Sequence, residues 1–211
     1  MKRFSRLIFG LFLYALGITI TIKADIGFAP WDVFHVGLAD TISTTVGIAS
    51  IYAAFAIVII ALLLGEKLGI GTIMNMFAIG LFIDLIMYLD IIPQTSHLMI
   101  SVLMLLTGLV IISFGSYYYM GSGFGAGPRD SLMVGLNKKT KLPIGLCRGL
   151  VEITAVIIGW FLGGKVGIGT LIAAFSIGPI IQTTFSLLKF DTALIEHETL
   201  HKTWQLLRAN K

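Results

Sequence analysis

Charge is what this chain has least of: 12% of its residues are Asp, Glu, Lys or Arg, against roughly a quarter in a soluble domain. With 56% hydrophobic residues and a mean hydropathy of +0.94, too few polar groups remain to coat a water-facing surface. Lipid is the solvent for most of the chain, and the class is membrane protein. Cysteine is almost absent too. Cys147 alone excludes an intramolecular disulfide and any multi-thiolate metal site, and its apolar surroundings mark it as a buried inert thiol. Behind Lys2 and Arg3 runs an apolar stretch from Leu7 to Ile22 that looks like a signal peptide. It lacks a small-x-small cleavage site, ending in Ile22-Lys23-Ala24-Asp25, and is expected to be retained as a span. The net charge of +4 does not indicate nucleic acid, because the basic residues flank apolar runs rather than interleaving with aromatics.

What the sequence does have is long apolar runs. A helix needs about 20 apolar residues to cross roughly 30 Å of hydrocarbon. Six stretches meet or approach that length: 7–23, 46–64, 69–89, 97–119, 144–162 and 168–189. Two interludes, Ala24 to Thr45 and Gly121 to Pro143, separate the first span from the second and the fourth from the fifth. The first contains a short helical pattern, Trp31 to Ile42, too short to cross.

Lys and Arg are distributed unevenly. With the N-terminus inside, Lys2, Arg3, Arg6, Lys67, Arg129, Lys138, Lys139, Lys141, Lys189, Lys202, Arg208 and Lys211 fall on the cytoplasmic side, and only Lys23 and Lys165 on the other. Twelve against two is a strong positive-inside bias, which places both termini in the cytoplasm.

The sequence also repeats itself. At an offset of 98, Pro30 falls on Pro128, Asp32 on Asp130, Gly27 on Gly125, and Val36-Gly37-Leu38 on Val134-Gly135-Leu136. Gly69-Ile70-Gly71-Thr72 lands on Gly167-Ile168-Gly169-Thr170, and 20 of the 54 residues from 27 to 80 match their partners. Hydrophobic drift does not produce matched glycines, prolines and charges. Each half holds three spans, so the second must enter the bilayer from the opposite face, the inverted arrangement common among secondary transporters. The expected fold is all-α: six transmembrane helices as two inverted three-span repeats, about 7–89 and 97–189, each with a re-entrant or interfacial helix after its Pro-x-Asp turn. One membrane domain spans 1–211, with 190–211 as a cytoplasmic tail.

The run from Lys23 through Ala29-Pro30-Trp31-Asp32 to Leu38 resembles the signature of the YczE/YyaS/YitT family of bacterial integral membrane proteins. Gly125 to Leu136, Cys147-Arg148 with Glu152, and Gly163 to Thr170 are similar to further family motifs. The resemblance covers about residues 7 to 188 and implies a bacterial cytoplasmic-membrane protein. It brings no substrate with it.

Candidate site residues follow from charge at depth. Arg148 and Glu152 are four apart on the fifth span, within ion-pairing reach. Counting from Pro143, they lie about 7–8 Å and about 13–14 Å into the membrane, where charges normally face the interior, a partner or water. Asp32 and Asp130 read as first-turn carboxylates that cap their own helices, or as groups lining a path where the half-helices dip inward. Gly71-Thr72 and Gly169-Thr170 open helices whose free N–H groups suit an anion; close helix packing explains the same glycines. Asn75, Asp84, Arg129 and His35 are secondary candidates. Asp84 lies near enough to its span's end to reach the surface, and Tyr117, Tyr118 and Tyr119 read as an interfacial aromatic belt.

His197-Glu198-Thr199-Leu200-His201 fits the zincin pattern, but Lys202 to Lys211 offers no further His, Asp, Glu or Cys ligand. No catalytic residue, metal or cofactor is expected. The leading expectation is a transporter or channel for a small polar solute, anionic or zwitterionic because two arginines and two glycine-rich helix starts favour negative charge. A substrate-binding subunit of a larger transport complex and a membrane scaffold or assembly factor are the alternatives. The partners implied are the lipid bilayer and a small solute, with no nucleic acid; a homodimer or a partner subunit is compatible.

Overall fold

A computed structural model describes residues 2–67, 69–95 and 97–190. Among the described residues every regular element is a helix: α1 (Lys2–Lys23), α2 (Pro30–Thr41), α3 (Val46–Leu63), α4 (Ile70–Leu89), α5 (Leu98–Met120), α6 (Pro128–Thr140), α7 (Ile144–Phe161) and α8 (Ile168–Leu187). All but α2 and α6 are long and apolar enough to cross a membrane, which gives the six expected spans. The zincin-like tail motif lies outside the described residues.

Local chemistry sets the helix starts. α2 and α6 open on Pro30 and Pro128, whose fixed φ and missing N–H cost nothing at a first helical position. In α4 and α8 the third helical residue reaches back: Thr72 Oγ1 accepts from Gly69 N–H at 3.3 Å and Thr170 Oγ1 from Gly167 N–H at 3.1 Å.

The centre of the bundle is α1 against α5, the most extensive helix pair. Gly10 faces Gly115 and Gly17 faces Gly108, so closely that an added Cβ would meet the other helix's backbone. Small residues let membrane helices approach to backbone contact, where packing replaces the missing hydrophobic drive. Leu7, Leu11, Leu105 and Leu109 are fully buried around this crossing. α4 packs on α1, and α8 on α5. Leu63, Trp160, Phe161 and Phe175 are exposed, as lipid-facing side chains are.

Contacts recur at the repeat offset. Gly71 N–H donates to Phe124 O at 2.8 Å, and Gly169 N–H donates to Ile26 O at 2.7 Å. Gly27 and Gly125, both at positive φ, press against Gly167 and Gly69 respectively. α2 packs on α7 as α6 packs on α3. Each interlude is thus pinned to the glycine-rich start of a helix in the other half.

Asp84, near its span's end, is half-buried and has fixed partners there. Its carboxylate accepts from Thr45 Oγ1 at 2.6 Å and Gly47 N–H at 2.8 Å, so it caps the start of α3 from α4.

At the other side of the α2 interlude, Asp25 accepts from Lys165 Nζ at 2.9 Å and Gln94 Nε2 at 2.8 Å, tying three connections together. The Lys165 ammonium, with Gln94 adding a second bond, holds the Asp25 carboxyl below its usual value. A depressed folded value stabilises above the unfolded value, about 3.9, and that stabilisation is lost as pH falls through the folded value. The pair is partly exposed, so its worth is about 1 kcal/mol or less. Asp25→Asn should therefore lower the melting temperature slightly at pH 7, with the gap from the native protein closing in melts run below pH 4. A gap that persists there would remove the ion pair as its cause.

Candidate functional site

Residues of all eight helices line a cavity of about 260 Å³, far above the ~10–15 Å³ that holds one water. His35, Asn75, Arg129, Asp130, Arg148 and Glu152 all line it. Six of the twelve candidate residues thus converge from four different helices. A second, smaller space of about 60 Å³ adjoins, sharing Trp31, Arg129, Arg148 and Glu152 and adding Asp32.

Arg148 Nε and Glu152 Oε1 form the expected ion pair at 2.9 Å. Their side chains remain 39% and 20% exposed, so the pair borders the cavity rather than sealing a core. Their repeat partners Ser50 and Ala54 line the same cavity, which confines the charged pair to one half.

Arg129 is the other cation. Its guanidinium stacks over the Trp31 ring, 4.6 Å from the centroid, and lies 3.5 Å from His35 Nε2. Trp31 and Arg129 are repeat partners, each directly after its proline. Their stacking brings the starts of α2 and α6 together, so two positive helix-dipole ends converge beside the cavity. Among the described residues, no Asp or Glu lies within ion-pair distance of Arg129. With one edge donor facing His35 Nε2, the stacked guanidinium keeps its other edge donors to offer an anion.

Asp32 and Asp130 do not cap their own helices; neither start has a side-chain cap. Asp130 instead accepts from Tyr119 OH at 2.6 Å and Asp32 from Thr21 Oγ1 at 3.4 Å. Thr21 and Tyr119 are themselves repeat partners. His35 is buried, with Nδ1 3.8 Å from Asp32 Oδ1 and no hydrogen-bond partner.

The structure leaves the other candidates outside this group. Asp84 caps α3. The N–H groups of Gly71 and Gly169 are taken by Phe124 and Ile26, and Thr72 Oγ1 donates to Ala126 O at 2.6 Å. These glycine turns clamp the interludes, and close packing, not an anion cradle, is what they provide here.

Sequence reasoning missed Trp31, Tyr14, Ser50, Ser116 and Tyr119, all of which line the cavity. Tyr119 is the clearest correction. It is 5% exposed and turned inward, whereas Tyr117 and Tyr118 stack on Arg6. The signal was available: its repeat partner is the polar Thr21, which an aromatic belt does not explain.

A six-span helical bundle with ionisable groups around an internal cavity defines a polytopic membrane protein. The chain belongs to DUF6198, a family of unknown function, whose model matches residues 1–186. It is 36% identical over 175 residues to the uncharacterized membrane protein YczE of Bacillus subtilis, covering 82% of this chain and 80% of that one. An uncharacterized protein of Haemophilus influenzae is 33% identical over 181 residues, 86% and 82% of the two chains. The uncharacterized protein YyaS of Bacillus subtilis is 29% identical, covering 82% of this chain and 87% of that one. The family resemblance carried by the Pro-Trp-Asp motif is thereby met. No solved structure matches the chain.

Proposed function

We propose that this protein is a small inverted-repeat transporter or channel of the bacterial cytoplasmic membrane, with both termini cytoplasmic, for an anionic or zwitterionic solute. One observation carries the reading: Arg129, without a carboxylate partner, faces a cavity that also holds the Arg148–Glu152 pair. An unpaired guanidinium inside a bundle is expensive, and a solute's anionic group offsets that cost. Half-helix starts directed at a substrate's negative group are a recurrent transporter device. The reciprocal contacts of the two halves, with three spans in each, support an in-plane two-fold and hence two related arrangements open to opposite sides.

The test is a thermal-shift screen of the purified protein against small carboxylates and zwitterionic amino acids, followed by uptake of any hit into proteoliposomes. Glu152→Gln leaves Arg148 without its counter-charge. We expect it to raise the melting temperature gained from a carboxylate hit, because the freed guanidinium now binds solute, and to lower the uptake rate at least tenfold by retarding release. A flat panel for the native protein, or uptake that Glu152→Gln and Arg148→Ala both leave unchanged, overturns the reading.

A further inference from the structure

The two halves match in which helices touch, with one exception. α3 and α4 pack closely, whereas their repeat partners α7 and α8 scarcely touch. Glycines make the difference concrete. An added Cβ on Gly47 would meet Gly80 O and the Asp84 carboxylate, and one on Gly80 would meet Gly47 O and Ile51. The partners of Gly47, Ile51 and Gly80 are Gly145, Gly149 and Gly178, and a Cβ added at any of these meets nothing within 4 Å. Three glycines at packing positions stand with nothing packed on them. The cavity borders this gap: Arg148 and Glu152 of α7 and Ile181 and Phe185 of α8 line it together with residues of the other helices.

Two further features point the same way. Pro179 sits inside α8 directly after Gly178; it has no N–H for the carbonyl of Phe175, so the helix is weakened at that point. The residue matching Asp84 is Gln182, which is exposed. Asp84 bonds Gly47 N–H, whereas the start of α7 has no side-chain cap.

We infer that the end of α8 swings onto α7 about the weakened turn that begins at Phe175, carrying Gly178 against Gly145 and Gly149 and bringing the Gln182 side-chain oxygen to Gly145 N–H. This closes the cavity at the end of the bundle that carries α6. The α3–α4 pair shows the closed form of the same gate. The inference rests on the transport reading, which requires the cavity to open and close, but closure is measurable without any solute.

The experiment is disulfide trapping in membrane vesicles, with Gly145→Cys/Gly178→Cys and, as a second pair, Gly149→Cys/Gly178→Cys, both in a Cys147→Ala background. A disulfide needs Cβ atoms about 3.8 Å apart, so bonding requires the helices to approach. The expected result is an intrachain bond in at least one pair on mild oxidation, formed several-fold more slowly when Gln182→Leu is added. No bond in either folded pair, or a bond that appears only as a dimer band, overturns the gate. If the bond forms but the native protein takes up no solute of the panel, the gate stands and the transport reading fails.

Discussion

Arg129→Gln should weaken solute binding about 10- to 150-fold, the equivalent of about 1.5–3 kcal/mol for a lost charge-assisted hydrogen bond. Two facts make this the most sensitive position in the cavity. The Arg129 guanidinium has no carboxylate partner among the described residues, and the Trp31 ring 4.6 Å away holds its plane in one orientation. Glutamine keeps the length and some hydrogen bonding but not the charge. Arg129→Lys keeps the charge but loses the planar stack, so its affinity should fall between the two. Arg129 also offsets the buried Asp32 carboxylate at longer range, so the melting temperature without solute should fall slightly in Arg129→Gln and stay level in Arg129→Lys. The solute-induced thermal shift and the Km for uptake report the loss. Equal affinity in Arg129→Gln and the native protein would place the anion elsewhere.

Gly17→Val is expected to be the most damaging single change to the fold. An added Cβ there lies 2.6 Å from Gly108 O and 2.8 Å from Ile112 N. Backbone atoms cannot rotate away as a side-chain tip can, so α1 and α5 must separate along the central contact. Overpacking of this kind costs about 3 kcal/mol or more, enough to abolish a monodisperse peak in detergent. Gly145→Val is the matched comparison. It adds the same atoms on another membrane helix but meets nothing within 4 Å, so its melting temperature should stay close to native. Similar melting temperatures for the two variants would show that α1 and α5 do not depend on the glycine crossing.

Much of the architecture is legible in the residues because the bilayer imposes a length. Six apolar runs became six long helices, and Trp31 to Ile42, too short to cross, became α2 at Pro30–Thr41. The Arg148–Glu152 pair was equally legible, since four residues on a helix place two side chains on one face. Residues whose partners are distant in sequence were not. Asp32 and Asp130 carried the local pattern of helix caps, yet Thr21 and Tyr119 claim their oxygens. Asp84 was read by depth alone, and its partner is the start of another helix 37 residues away.

By itself, then, the sequence determined the solvent of the chain, the number of spans, the short helices and the duplication. Periodicity, hydropathy and the fixed geometry of proline and glycine act within a few residues and leave no choice. Tertiary structure alone decided which charges share a cavity, that Trp31 stacks on its repeat partner Arg129, and that α3 and α4 are joined while α7 and α8 stand apart. Those outcomes depend on packing between segments that are separate in sequence, from 37 residues for Asp84 and Gly47 to 98 for Trp31 and Arg129, beyond the reach of local propensity.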